Sequence, residues 1–244
     1  MRYSALGAVL CVSLFGAGDK VLFDFRGSSM MTAPAIAPET QRTVLSALFP
    51  HYLGDEKNCQ AKEPPTEETL ETARKTGQIV PEVVSRFSGS FTRPRARELA
   101  YLIKVGECRA SSRSYLGTFQ LAIFESGRLT AGGAASGGDH IAAVKDVDGS
   151  GMEEILISAC GFGQGVLECS ARLLSVAGGS VKTVQDFPAV YSDMCGSSRD
   201  SGARATLVRF DPGRPPQFFA EDYKAPCPAP GQEPKFAFSA ERRY

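Results

Sequence analysis

Within one short stretch of the chain, Asp146, Asp148, Ser150, Met152 and Glu154 stand at every second position of Asp-Val-Asp-Gly-Ser-Gly-Met-Glu-Glu. Two carboxylates, a hydroxyl, a main-chain carbonyl and a third carboxylate at this spacing offer an oxygen-only shell. A hard divalent cation, Ca²⁺ above all, takes such a donor set. Met152 contributes through its carbonyl alone. Gly149 and Gly151 let the backbone turn tightly enough to bring the donors to one centre. The chemistry indicated is ion binding, and it names no reaction. The competing reading is a polar turn with no ion, since Asp and Gly favour turns by themselves.

The elements that position this loop decide which kind of ion site it is. An EF-hand needs a glutamate at the twelfth loop position and a helix on each side. Here the twelfth residue is Ile157, and the flanks, Ile141-Ala-Ala-Val144 and Glu154-Ile-Leu-Ile-Ser158, are short apolar runs that read as strands. The loop therefore links two strands. In this it resembles the calcium loop of the FG-GAP repeat of integrin-like β-propellers, a D-x-D-G-D-G-x-x-D pattern leading into a hydrophobic strand. Asp146, Asp148, Gly149 and Gly151 match it, Ser150 replaces the third aspartate and Glu154 the last. The resemblance spans residues 146–157 as a single degenerate copy. It implies a structural calcium ion, with partner binding on other surfaces.

Other residues suggest catalysis only if the fold assembles them. Asp139-His140 precedes the strand entering the loop, and Ser158, Ser170 and Ser192 are conceivable nucleophiles, but no G-x-S-x-G elbow or H-E-x-x-H helix fixes a base beside an attacking group. His51 carries less than His140. A glycosidase pair such as Asp186 and Asp193 needs two carboxylates facing across a groove, which their spacing does not argue for. The sequence thus assigns no catalytic residue. The alternative to a binding module is a secreted hydrolase with a spatially assembled site, favoured if His140 meets a carboxylate and a nucleophile in a cleft.

Met1-Arg2, the apolar stretch Ala5 to Phe15 and Gly16-Ala17-Gly18 read as an export signal over 1–18, too short to span a membrane. Leu10 before Cys11 matches a lipid-attachment signal poorly, so a lipid anchor on Cys11 is the less favoured outcome. No later run is long and apolar enough to cross a bilayer. The mature chain is expected to be secreted or periplasmic. Beyond Cys11 stand Cys59, Cys108, Cys160, Cys169, Cys195 and Cys227, an even set suited to disulfides in an oxidising compartment. Six cysteines allow 15 pairings. Cys160 and Cys169 enclose a glycine-rich turn and form the favoured local staple, and Cys195 with Cys227 is the second candidate. Zinc is disfavoured because no C-x₂-C pair occurs and neither histidine lies near a cysteine cluster.

Charge is balanced, with 27 Lys and Arg against 27 Asp and Glu, so no field for nucleic acid exists. Arg93, Arg95 and Arg97 alternate as on one face of a solvated edge strand. The remaining partner classes are protein or glycan. Elements divide the chain into 19–80, an N-terminal extension with short helices, 81–225, a β domain, and 226–244, a tail expected to fray. Helices are expected over Glu39 to Leu53, and from Thr66 to near Gly77. Strands are expected near 99–105, 119–124, 141–144, 154–158, 166–174, 181–187, 206–210 and 217–219. Turns fall at Glu125-Ser-Gly127, Ala131-Gly-Gly133, Ala177-Gly-Gly179 and Asp211-Pro-Gly213. No helix long enough for a crossover lies between these strands. The expected fold is mainly β: an antiparallel meander forming a partial or degenerate β-propeller or a β-sandwich, with short N-terminal helices.

Overall fold

The computed structural model describes residues 20–27, 36–49, 79–107, 118–196, 202–229 and 232–244. The export signal, Cys11, His51, Cys59, Cys108 and the second expected helix lie outside the described residues. Among the described residues the fold is mainly β, with antiparallel sheets and one short helix. Strands β1 (Lys20–Asp24), β2 (Ile79–Gly89), β3 (Glu98–Glu107), β4 (Thr118–Glu125), β5 (Arg128–Ala134) and β6 (His140–Lys145) are followed by β7 (Glu154–Gly163) and β8 (Val166–Ser175). A 3₁₀ turn at Ala177–Gly179 then leads to β9 (Lys182–Asp193), β10 (Ala203–Asp211), β11 (Gln217–Ala225) and β12 (Ala237–Arg243). The helix α1 (Pro38–Leu48) opens on a proline in its first turn, where the missing N–H costs nothing.

The described residues form two antiparallel sheets. One runs β2-β3-β4-β5; the other runs β12-β11-β10-β9-β8-β7-β6, with β1 paired to β10. Three apolar clusters hold them. Ile155 and Ile157 of β7 join Ala100, Leu102, Leu121 and Ile123 of the smaller sheet in one cluster between the sheets. Leu156, on the opposite face of β7, joins Leu22, Leu173, Phe187, Val208, Phe210 and Phe218 in a second. That second cluster draws on seven strands of the larger sheet, which curls around it and stays open, since β6 and β12 are the two ends of its path. Val44, Leu45 and Phe49, on α1 and just past its end, cover the outer face of the smaller sheet against Val83, Tyr101, Ile103 and Phe124. The Ile-Leu-Ile run of β7 is apolar throughout because both its faces are buried.

Several local expectations give way to longer-range pairing. Ala131-Gly-Gly133 is part of β5 rather than a turn. Gly132 fits there because a Cβ would lie 2.8 Å from the Leu121 carbonyl oxygen of β4. Arg93, Arg95 and Arg97 sit in the β2–β3 connection, not on a strand; Arg93 forks onto Glu125 at 2.6 and 2.9 Å. The tail does not fray: β12 pairs with β11, and the Tyr244 ring meets Phe187 edge-on at 4.8 Å. Among the described residues, two disulfides, Cys160–Cys169 and Cys195–Cys227, match the two staples favoured by spacing.

Candidate functional site

β6 and β7 pair antiparallel from His140 opposite Ser158 to Lys145 opposite Glu154. This register places two chemically distinct groups at the two ends of β6, about 17 Å apart at the usual strand rise. At one end the turn from β6 into β7 gathers Asp146, Asp148 and Glu154, each with one carboxylate oxygen within 4.8 Å of the others.

The loop's own amides shape that cluster. The Ser150 N–H donates to Asp146 Oδ1 at 3.0 Å and to Asp148 Oδ1 at 2.8 Å, and the Gly151 N–H donates to Asp146 Oδ2 at 3.0 Å. The Val147 N–H donates to Glu154 Oε2 at 3.0 Å. Gly149 and Gly151 adopt φ of 71° and 80°, the left-handed backbone that lets successive amides point inward. Ser150 and Met152 bond each other: the Met152 N–H donates to Ser150 Oγ at 3.1 Å, and Ser150 Oγ donates to the Met152 carbonyl at 3.4 Å.

Glu154 is the buried member of the trio, 5 % exposed. Burial pushes its carboxyl up to about 7; the Val147 N–H opposes this, and the charges of Asp148 and Asp146 add to it. Three carboxylates this close favour a cation that relieves their repulsion, and the cluster can hold a divalent one. The three carboxylates stand within nine residues of one another, so their spacing alone is visible in the sequence.

Two neighbours of the loop had no sequence signal, because they are distant in the chain. The Glu153 N–H donates to the Ser90 carbonyl at 2.7 Å and the Ser90 N–H returns a bond to Glu153 Oε2 at 2.8 Å, docking the loop on the β2–β3 connection. That connection is itself organised by buried Glu98, whose carboxylate accepts the Phe91 N–H at 2.6 Å, the Thr92 N–H at 2.9 Å and the Thr92 hydroxyl. From the β10–β11 connection, the Arg214 Nε lies 3.4 Å from Asp148 Oδ2.

At the other end of β6, His140 Nδ1 lies 2.7 Å from Asp139 Oδ1, and its Nε2 lies 2.8 Å from the Ser158 hydroxyl. Among the serines considered from sequence, Ser158 is the one whose hydroxyl is set against His140. The signal would have been the β6–β7 register, which single residues do not display. A cavity of about 270 Å³ beside this group is lined by Glu82, Val84, Lys104, Phe119, Asp139, His140 and Cys160. Asp186 and Asp193 form no facing pair: Asp186 is held by Arg172 at 2.5 Å, and Asp193 accepts the Cys195 N–H at 2.9 Å.

No protein-family model, curated protein or solved structure matches the chain. Function therefore rests on the geometry of these two groups. Among the described residues, no helix is long and apolar enough to cross a membrane.

Proposed function

We propose that this chain is an exported, cation-braced β domain that serves as a binding module for a protein or a glycan. The observation that carries the proposal is the convergence of Asp146, Asp148 and buried Glu154, whose carboxylate oxygens lie within 4.8 Å of one another. Calcium suits it best among divalent cations, because every donor is oxygen and the loop is irregular. Ser150 Oγ and the Met152 carbonyl would complete the shell by turning from each other to the ion. The likeness of residues 146–157 to an FG-GAP calcium loop agrees with a strand-to-strand ion site. The packing of two sheets around a shared cluster favours a sandwich-like arrangement over propeller blades.

The mechanism is rigidification. An ion cancels the mutual repulsion of the three carboxylates and fixes the loop, and the Glu153–Ser90 bonds pass that order to the β2–β3 connection. Binding to the native state alone stabilises it by mass action. Two exposed aromatics offer contact points for a partner: Phe162, 77 % exposed near the tip of the β7–β8 hairpin closed by Cys160–Cys169, and Phe238, 61 % exposed on β12. The two disulfides agree with an oxidising, secreted or periplasmic setting.

Titration calorimetry of calcium into the oxidised chain, with melting curves in calcium and in chelator, tests the ion. Saturable binding and a melting increase of several degrees, both lost in the Asp146→Ala/Asp148→Ala variant, are expected. Identical melting curves for the wild type at millimolar calcium and in chelator would refute it.

A further inference from the structure

We propose that Ser158, His140 and Asp139 form an acyl-transfer relay that hydrolyses small carboxylic esters bound in the cavity beside β6. This is independent of the ion loop, which lies at the far end of the same strand.

Three observations converge. The order of contacts is carboxylate to Nδ1 at 2.7 Å, then Nε2 to hydroxyl at 2.8 Å. Asp139 is acceptor-only when ionised, so it selects the tautomer with the proton on Nδ1, and Nε2 is left to accept the Ser158 O–H. A general base must lie within about 2.6–3.2 Å of the proton it removes, and this one does. The pairing is also held in place. Ser158 faces His140 across the β6–β7 ladder, and the Asp139 N–H donates to the Ser158 carbonyl at 2.8 Å, so both partners are fixed by main-chain bonds. Finally, His140 and Asp139 line the cavity, whose volume of about 270 Å³ sits at the small end of ligand sites. Phe119 and Val84 supply its apolar wall.

Size is the main restriction on the substrate. Ser158 is only 2 % exposed and lies behind His140 rather than in the cavity lining, so the relay requires the imidazole to swing aside and admit a short acyl group to the Ser158 hydroxyl. In the first step the Ser158 Oγ forms a bond to the ester carbonyl carbon while its proton passes to His140 Nε2. The carbonyl electron pair moves to oxygen. When that pair returns, the bond to the alcohol oxygen breaks and His140 Nε2 gives the alcohol its proton. Water then attacks the acyl-serine, losing a proton to His140 Nε2. Collapse releases the carboxylic acid and returns the proton to Ser158 Oγ. Asp139 holds the ring throughout through its bond to Nδ1.

The test uses the full oxidised chain with diisopropyl fluorophosphate, a small probe that phosphorylates activated serines, followed by intact mass and peptide mapping. Hydrolysis of 4-nitrophenyl acetate is measured in parallel. A single adduct on Ser158 is expected, with labelling and hydrolysis both falling at least about 100-fold in His140→Ala. Asp139→Asn replaces a partly exposed carboxylate with an amide of the same shape, and it should slow labelling at least about tenfold with an unchanged melting curve. It decides the matter if His140→Ala does not fold. A wild type left unlabelled at Ser158, or labelled at the same rate as Asp139→Asn, would overturn the relay and leave a hydrogen-bonded cross-strand pair.

Discussion

Glu154 enters β7 as a carboxyl that burial pushes up to about 7, whereas in the unfolded chain it ionises near the ordinary glutamate value. Between those two values the folded state holds a proton that the unfolded state has lost. Its contribution to stability is therefore fully present below the ordinary value and is lost as pH rises through about 7. In chelator, the stability of the wild type relative to Glu154→Gln should fall between pH 5 and 8 by on the order of 1–3 kcal/mol. Melting curves of the two proteins across that range check this. Saturating calcium should flatten the difference in the wild type, because the ion replaces the proton. A difference that does not change with pH would show that Glu154 titrates normally. Calcium affinity should rise over the same interval, since the proton and the ion compete for one carboxylate.

The β2–β3 connection is the element on which the ion loop rests, and one side chain organises it. Glu98 is 1 % exposed and collects two main-chain amides and a hydroxyl. Replacing it with alanine leaves the buried Phe91 amide and the part-buried Thr92 donors without this partner, a loss of about 2–4 kcal/mol by chemical denaturation. Because Ser90 and Glu153 join this connection to the loop, the same variant should also bind calcium more weakly. A Glu98→Ala protein with wild-type calcium affinity would show that the two segments are not coupled. Pro94 helps explain why the alternating arginines do not form a strand: it lacks an N–H, and the amides before it are already committed to Glu98.

Across the whole molecule, the larger sheet curls over its core as an open sheet, and two disulfides cross-link it. Cys195–Cys227 spans 32 residues and Cys160–Cys169 spans 9. Loop-closure entropy then ranks them: removing the first should cost about 3–4 kcal/mol and the second about 2–3 kcal/mol. Urea unfolding of the two double alanine variants checks the order, and a larger loss from the shorter link would contradict the entropic account. β1 lies beside β10, where β9 pairs through Ala203, Arg204 and Ala205 only, and it contributes Leu22 to the core. Residues near the start of the described chain thus complete a sheet formed almost entirely by its second half.

The amino-acid sequence alone specified what depends on near neighbours. The acidic cluster of Asp146, Asp148 and Glu154, the strands with clear apolar runs, helix α1 and the staple across the β7–β8 hairpin were all legible, because spacing and turn chemistry act within a few residues. The pairing of Cys195 with Cys227 was legible as the closure of one segment. Tertiary structure decided what depends on partners far along the chain. β1 and β12 lack a strong period and become strands by adding to β10 and β11; β5 carries a glycine pair that reads locally as a turn. The contacts of Ser158 with His140 and of Glu153 with Ser90 arise from register and packing, in which a shift of one residue would turn each side chain to the other face. No local pattern encodes that choice, so only the assembled sheets could place two distinct chemical groups at the two ends of one short strand.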